Sequence, residues 1–273
     1  LRARLRPRLF LGIIFDLVSS RARIKQINII YKKMAKLIFD IETAGESYDE
    51  MDETTREILT KWIKESCENE EEYERELKKI KDGLGFSPLT GYIVAIGLLD
   101  YEKNKGVVYY QAPDSSEEET EEGDFKFKPM SEKEMLERFW HGAKEYDEFI
   151  DFNGRSFDVP FLIARSAVNK VKITKDLMSN RYLNSQRYDA KHVDLFDQLS
   201  FYGAVRGKNS LHLWCRALGV KSPKGDGVCG DDVSRLFREK KYLDIARYNV
   251  GDLVATRDLY DHWQKYMRAE NKQ

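Results

Sequence analysis

The 273 residues are 41% hydrophobic and 34% charged with 6 Pro, the balance of a soluble globular chain long enough for one sizeable core or two small ones. Three widely spaced cysteines, Cys67, Cys215 and Cys229, make neither a CxxC zinc pair nor a disulfide framework, which suits a reducing, cytoplasmic setting. The formal net charge of −1 conceals an asymmetry: residues 1–33 carry nine bases against the single acid Asp16, which leaves 37 bases and 46 acids, a net of −9, for the rest. So acidic a body argues against a nucleic-acid binder that works by general phosphate attraction, unless metal ions supply the positive charge.

The basic leader, residues 1–33, has three competing readings: translated upstream sequence with the start at Met34, a targeting segment, or an arm that touches nucleic acid. Its apolar run Leu9–Val18 is interrupted by Asp16 and too short to span a bilayer, so no membrane partner is expected. The leader is set apart from the fold, which is expected over 34–273. Lys36–Asp40 reads as a buried strand whose carboxyl end carries acids. From Tyr48 to about Lys81 a highly charged, helix-forming stretch with sparse apolar positions reads as a helical insertion on the surface, ended by Gly83–Pro88. Tyr92–Asp100 and Gly106–Gln111 read as a hairpin, and Ser115–Asp124 as a solvated acidic loop. Ser131 with Glu134 resembles a capping box opening a helix to about Tyr146. Glu148–Phe152 reads as a strand, Phe157–Val168 as a helix, and His192–Phe201 as a strand end passing into a helix. Three more helices are expected over Leu211–Leu218, Asp232–Lys240 and Tyr242–Arg268. Strands mixed with helices, and no internal repeat, point to one α/β domain with a mixed sheet.

Three short motifs carry chemistry. Asp40 and Glu42 are two apart on a strand and therefore share a face. Paired carboxylates are costly unless neutralised, and a divalent cation is the usual answer; one acid capping the next helix is the plainer alternative. Asp158, at the end of Asn153-Gly154-Arg155-Ser156-Phe157-Asp158, falls where a strand gives way to a helix, the edge at which open α/β sheets place ligands. An acid favourable to the helix dipole would look the same. Tyr248 and Asp252 are four apart in a helix and stack on one face, where a carboxylate binds a metal and a phenol orients water on it. Alone, such a pair is ordinary surface decoration.

Together and in this order the motifs DIET, NGRSFDVPF and Tyr-x-x-x-Asp resemble those of the DEDD 3′–5′ exonuclease superfamily. The second is similar to that of the proofreading domain of family-B DNA polymerases. The segments LSFYGAVRGKNSLHLWCRALGV and RYNVGDLVATRDLY resemble the stand-alone exonucleases related to that domain. The likeness runs from Met34 to about Met267 and leaves no room for a polymerase palm or thumb. Members with a catalytic histidine hold it five residues before the last Asp; Arg247 stands there, and Tyr248 points to the tyrosine subclass. No catalytic role falls to His141, His192, His212 or His262.

The resemblance implies an RNase H-like α/β fold: a mixed five-stranded sheet flanked by helices, with the helical insertion after the first strand. It implies two divalent cations, Mg²⁺ or Mn²⁺, with Asp40 bridging both, Glu42 and Asp252 completing one shell, and Asp158 holding the second partly through water. Two cations about 3.5–4 Å apart stabilise the attacking hydroxide and the leaving 3′-oxygen of an in-line displacement. Tyr248 would orient the water, since an unperturbed phenol, with a pKa of about 10, is no base at neutral pH. Thr43, Asn153 and Phe157 are placed to touch the terminal nucleotide, Phe157 either by stacking on a base or not at all if it is core. Lys170, Lys172, Lys175, Arg181, Arg187 and Lys191 form either a phosphate track or a solvated loop. The expected partner is the 3′ end of single-stranded nucleic acid, DNA before RNA; an exoribonuclease and a catalytically silent binding module are the alternatives. The sequence names no protein partner.

Overall fold

The computed structural model describes residues 34–207, 209–223 and 230–269. The basic leader and Cys229 lie outside the described residues.

The central strand β1 (Lys36–Gly45) is buried almost throughout because it is paired on both edges. It is followed by the helical insertion, which is two helices, α1 (Glu53–Ser66) and α2 (Glu70–Gly83). The break is local chemistry: the side chain of Asn69 accepts from the amide of Glu72 and caps α2, as Asp52 caps α1 through Thr55. A short 3₁₀ turn, Leu84–Phe86, leads to the hairpin of β2 (Gly91–Asp100) and β3 (Lys105–Tyr110).

The sheet has seven strands, not five, in the order β4-β5-β3-β2-β1-β6-β7. The two additional strands, β4 (Thr120–Glu122) and β5 (Phe125–Pro129), arise partly from the stretch read as a solvated acidic loop. Alternation explains β5, where Phe125 and Phe127 point inward while Lys126 is exposed, a period-2 pattern, and β4 is a strand through its pairing with β5. β4 is short, acidic and fully exposed, the kind of edge that resists further pairing. Lys128 pairs with Glu119 and Lys126 with Glu121 along it.

Beyond β5, α3 (Glu132–Ala143) opens with the expected capping box of Ser131 and Glu134. Then come β6 (Glu148–Asp151), α4 (Asp158–Val168), β7 (Lys191–Asp194) and α5 (Leu195–Leu199). The C-terminal helices are α6 (Leu211–Leu218), α7 (Val233–Arg238) and the long α8 (Tyr242–Tyr266). β1 is antiparallel to β2 but parallel to β6, and β6 is parallel to β7.

The two faces of the sheet carry separate cores. Leu37, Phe39 and Ile41 pack with α3 and α4, with Phe139 and Trp140 at the centre. Ile38 and Ala44 pack on the other side with Leu253, Leu259 and Tyr260 of α8. The strand's period of two therefore assigns Asp40 and Glu42 to the α8 face. Among the described residues no helix is long and apolar enough to cross a membrane.

Candidate active site

β6 pairs with β1 only from Lys36 to Ile38 and ends at Asp151. Asp40 thus sits mid-strand in β1 but just past the end of its parallel neighbour, where a crevice opens at the carboxyl edge of the sheet. The end of β6 leaves the Ile41 amide without a strand partner on that side, and the carboxylate of Asp158 takes it, N to Oδ1 3.0 Å. Asp158 is therefore fastened to β1 from the first turn of α4 and is almost fully buried.

Across the crevice, α8 brings Asp252 over β1. One carboxylate oxygen each from Asp40, Glu42 and Asp252 lie within 4.8 Å of one another, a spacing that a metal ion could bridge. The three motifs of the sequence thus converge, with Asp158 beside the group of three. Its charge is the first carboxylate to act on Asp40, ahead of Asp252 and Glu42.

Burial and this crowding of like charges hold Asp40 well above the usual carboxylate range. Glu42 is raised by burial and Asp252, and Asp158 by burial and Asp151. The charged neighbours acting on Asp40 are all carboxylates: Asp158, Asp252, Glu42 and Asp151. One buried oxygen of Glu42, Oε1, has no hydrogen-bond partner. A site built from raised carboxylates with an orphaned oxygen fits a hard divalent cation, which takes oxygen ligands and repays their desolvation.

Tyr248 sits one turn before Asp252, whose carboxylate acts on its phenol. Burial first, then Asp252, Glu42 and Asp40, drive the phenol far above its ordinary pKa, so it remains a donor. Arg247, at the position that a catalytic histidine would hold, faces away: it is ion-paired with Glu122 of β4 at 2.6 Å and with Asp244 at 3.3 Å.

The loop between β6 and α4 is held by residues to which the sequence reading gave no role. Asp194, at the end of β7, accepts from the amides of Asn153 (2.8 Å), Arg155 (3.1 Å) and Phe196 (2.9 Å). Gly154 lies flat on Asp151; a Cβ there would fall 1.6 Å from Oδ2. Asp151 in turn meets His192 Nε2 at 2.6 Å, and His192 Nδ1 faces the carbonyl of Leu177 at 3.0 Å. Only a protonated Nδ1 can face a carbonyl, so one proton is shared between Nε2 and Asp151 and the pair is neutral overall. Consistent with this, burial lowers the imidazole to about 4 and raises Asp151. His192 is thus a packed histidine of the loop's support. The spacing of three acids on two parallel strand ends (Asp151, Asp194) and one helix (Asp158) was the available signal.

The residues expected at the terminal nucleotide are less uniform. Asn153 has a left-handed backbone, φ 68°, and its amide is committed to Asp194. Phe157 is half-buried, with its ring centroid 5.1 Å from that of Phe161, so it joins core to surface. Thr43 is buried and donates its hydroxyl to the carbonyl of Gly85 at 2.7 Å, which ties β1 to the turn after the insertion. Of the basic stretch, Lys175 binds the Asp189 carbonyl, Arg187 pairs with Asp189, and Arg181 pairs with Asp197.

A family profile described as "Predicted 3'-5' exonuclease related to the exonuclease domain of PolB" matches residues 92–272. The chain belongs to this family. The matched region of this exonuclease carries Asp158, Tyr248 and Asp252, whereas Asp40, Glu42 and the α1–α2 insertion precede it. Among solved structures, the family B DNA polymerase from the hyperthermophilic archaeon Pyrobaculum calidifontis has a similar fold, with a TM-score of 0.53 at 16% identity over 85% of this chain. The chain spans 25% of that polymerase's length. No curated protein matches it.

Proposed function

We propose that the chain is a metal-dependent 3′–5′ exonuclease that removes nucleotides from the 3′ end of single-stranded DNA, with Asp40, Glu42, Asp158 and Asp252 as the metal-binding carboxylates. One observation carries the reading: oxygens of Asp40, Glu42 and Asp252 converge within 4.8 Å in a partly buried crevice, and the charged neighbours acting on Asp40 are themselves acids. Family membership supplies the polarity and the reaction type.

Asp40, Glu42 and Asp252 would hold one Mg²⁺ or Mn²⁺, and Asp40 with Asp158 a second. Bound there, the cations would activate water and stabilise charge on the leaving 3′-oxygen. The chain's own residues then have distinct tasks. Asp40 presents carboxylate oxygens to both positions from the centre of a rigid strand. Asp158, locked to the Ile41 amide, keeps one oxygen fixed and leaves the other for the crevice. Tyr248 holds its proton and uses the hydroxyl to orient the attacking water beside Asp252. The water adds to phosphorus, the P–O3′ bond breaks, and the products are a nucleoside 5′-monophosphate and a strand one residue shorter with a free 3′-hydroxyl. Asn153 and Phe157 flank Asp158 and are placed to border the terminal nucleotide, with stacking on the half-exposed Phe157 ring contributing about 1–3 kcal/mol.

The test is a 5′-labelled single-stranded DNA, and the RNA of the same sequence, incubated with Mn²⁺ or with EDTA. A metal-dependent ladder of shortening DNA products is expected. Activity that survives exhaustive chelation would refute the metal mechanism, and a ladder from RNA alone would reassign the substrate.

A further inference from the structure

Asn249 follows Tyr248 on α8 and lies on a different face of the helix, turned fully into the protein. Its Nδ2 donates to Asp40 Oδ2 at 2.7 Å, and the same amide lies near enough to Glu42 to offset part of the rise caused by burial and Asp252. Facing a carboxylate, the amide has one workable orientation, with nitrogen toward Asp40. That choice leaves Asn249 Oδ1 buried with no partner. The oxygen rests against Gly97, the β2 residue directly opposite Asp40; a Cβ at Gly97 would fall 1.7 Å from it. A glycine in the middle of an otherwise apolar central strand weakens that strand, and here it makes the space through which Asn249 reaches Asp40.

We propose that Asn249 is a positioning residue of the metal site, seated on Gly97, whose neutral amide holds Asp40 and Glu42 together in the arrangement that takes the cation. The inference rests on the metal-dependent reading above. A lysine or arginine at this place would neutralise the same carboxylates but would compete with the cation for their oxygens. An amide lends two N–H groups without a charge and leaves the remaining lone pairs available. The orphaned Oδ1 is the mark of this arrangement: the amide leaves its oxygen without a partner while its nitrogen serves Asp40.

The experiment measures Mn²⁺ binding to the full chain by calorimetry, with thermal melts in EDTA to establish folding, and uses no nucleic acid. Asn249→Ala and the near-isosteric Asn249→Leu should each bind Mn²⁺ roughly 10–100-fold more weakly, as is typical when a partner that orients a metal ligand is removed. Gly97→Ala, which pushes Asn249 off its seat, should show a loss of the same order. Gly97→Ala combined with Asn249→Ala should fall short of the sum of the two single losses, because the new methyl meets Asn249 Oδ1 first, at 1.7 Å, ahead of Leu253 Cδ1 at 2.8 Å. Parental affinity in a folded Asn249→Ala or Asn249→Leu protein would overturn the proposal while leaving the metal site intact, and so would additive losses in the double variant. A parent chain that binds no Mn²⁺ would overturn both this proposal and the metal-dependent reading. If the Asn249 variants do not fold, Gly97→Ala decides alone, by loss or retention of Mn²⁺ affinity.

Discussion

Replacing Tyr248 by Phe removes one oxygen from the site and nothing else. The phenol is held far above its ordinary pKa by burial and by Asp252, Glu42 and Asp40. Those surroundings favour the protonated phenol, so Tyr248 is placed to act as a donor rather than as a base. A hydrogen bond to a charged partner is worth about 1.5–3 kcal/mol. If all of that is realised only as the water is oriented for attack, the rate falls about 10–150-fold, at 1.36 kcal/mol per decade. The ring stays, so Mn²⁺ affinity should stay within about threefold of the parent. Asp252→Ala removes a carboxylate of the cluster and should depress both affinity and rate. The assay is single-turnover cleavage of 5′-labelled single-stranded DNA over a Mn²⁺ titration, repeated across pH. The parent and Tyr248→Phe should share one pH profile, displaced only in height. A Tyr248→Phe enzyme at the parental rate would remove the hydroxyl from the mechanism. An equal loss of Mn²⁺ affinity in Tyr248→Phe and Asp252→Ala would make Tyr248 a structural support of Asp252.

Three more predictions follow from the carboxylates and their surroundings. Because Asp40, Glu42 and Asp158 are raised, the folded metal-free protein binds more protons than the unfolded chain above about pH 4, and its stability falls as pH rises through their folded pKa values. The gain in melting temperature on adding Mn²⁺ over EDTA should therefore grow from about pH 5 to about pH 8, while the Asp151–His192 pair, present in both curves, drops out of the difference; a pH-independent gain would contradict the raised carboxylates. Asp194→Ala releases the amides of Asn153, Arg155 and Phe196 and should slow cleavage at least about 10-fold, with a stability loss of a few kcal/mol at about 1–3 kcal/mol for each stranded amide, read by urea melts. Arg247→Ala breaks an exposed pair with Glu122 on the far side of α8 and should change stability by less than about 1 kcal/mol and cleavage by less than about twofold; a large rate loss would place Arg247 in the site.

The element pattern was legible wherever one local rule dominated. The capping box at Ser131 and Glu134 placed the start of α3, and the left-handed Gly219 closes α6 where the apolar pattern of Leu211–Leu218 stops. The sheet was under-counted because β4 and β5 are recognisable only through their partners. Thr120–Glu122 has no apolar residue, so its strand character comes from pairing with β5. β5 itself is decided by two phenylalanines whose destination, the core beneath β3, is a tertiary fact. The helical insertion divides in two for a local reason: the break at Cys67–Asn69 is closed by the asparagine cap that starts the second helix.

Within the candidate site, the carboxylates that gather there were legible because their chemistry is unusual, and the residues packed around them were not, because their chemistry is ordinary. Two acids on one strand face and an acid at a helix start are conspicuous only because folded chains avoid gathering such charges without compensation. Asp151, Asp194 and His192 look in sequence like strand-end polar residues, and nothing local says that Asp194 will bind the amides of a loop some forty positions earlier. Gly97 and Asn249 are more instructive. A glycine inside an apolar strand and an asparagine inside a long helix are each mildly unfavourable where they stand. Separately they are noise. The structure puts them in contact directly opposite Asp40, so that two small local costs become one arrangement serving a third residue. Departures from local propensity of this kind are expected to gather near a working site, and this pair lies on facing elements beside Asp40.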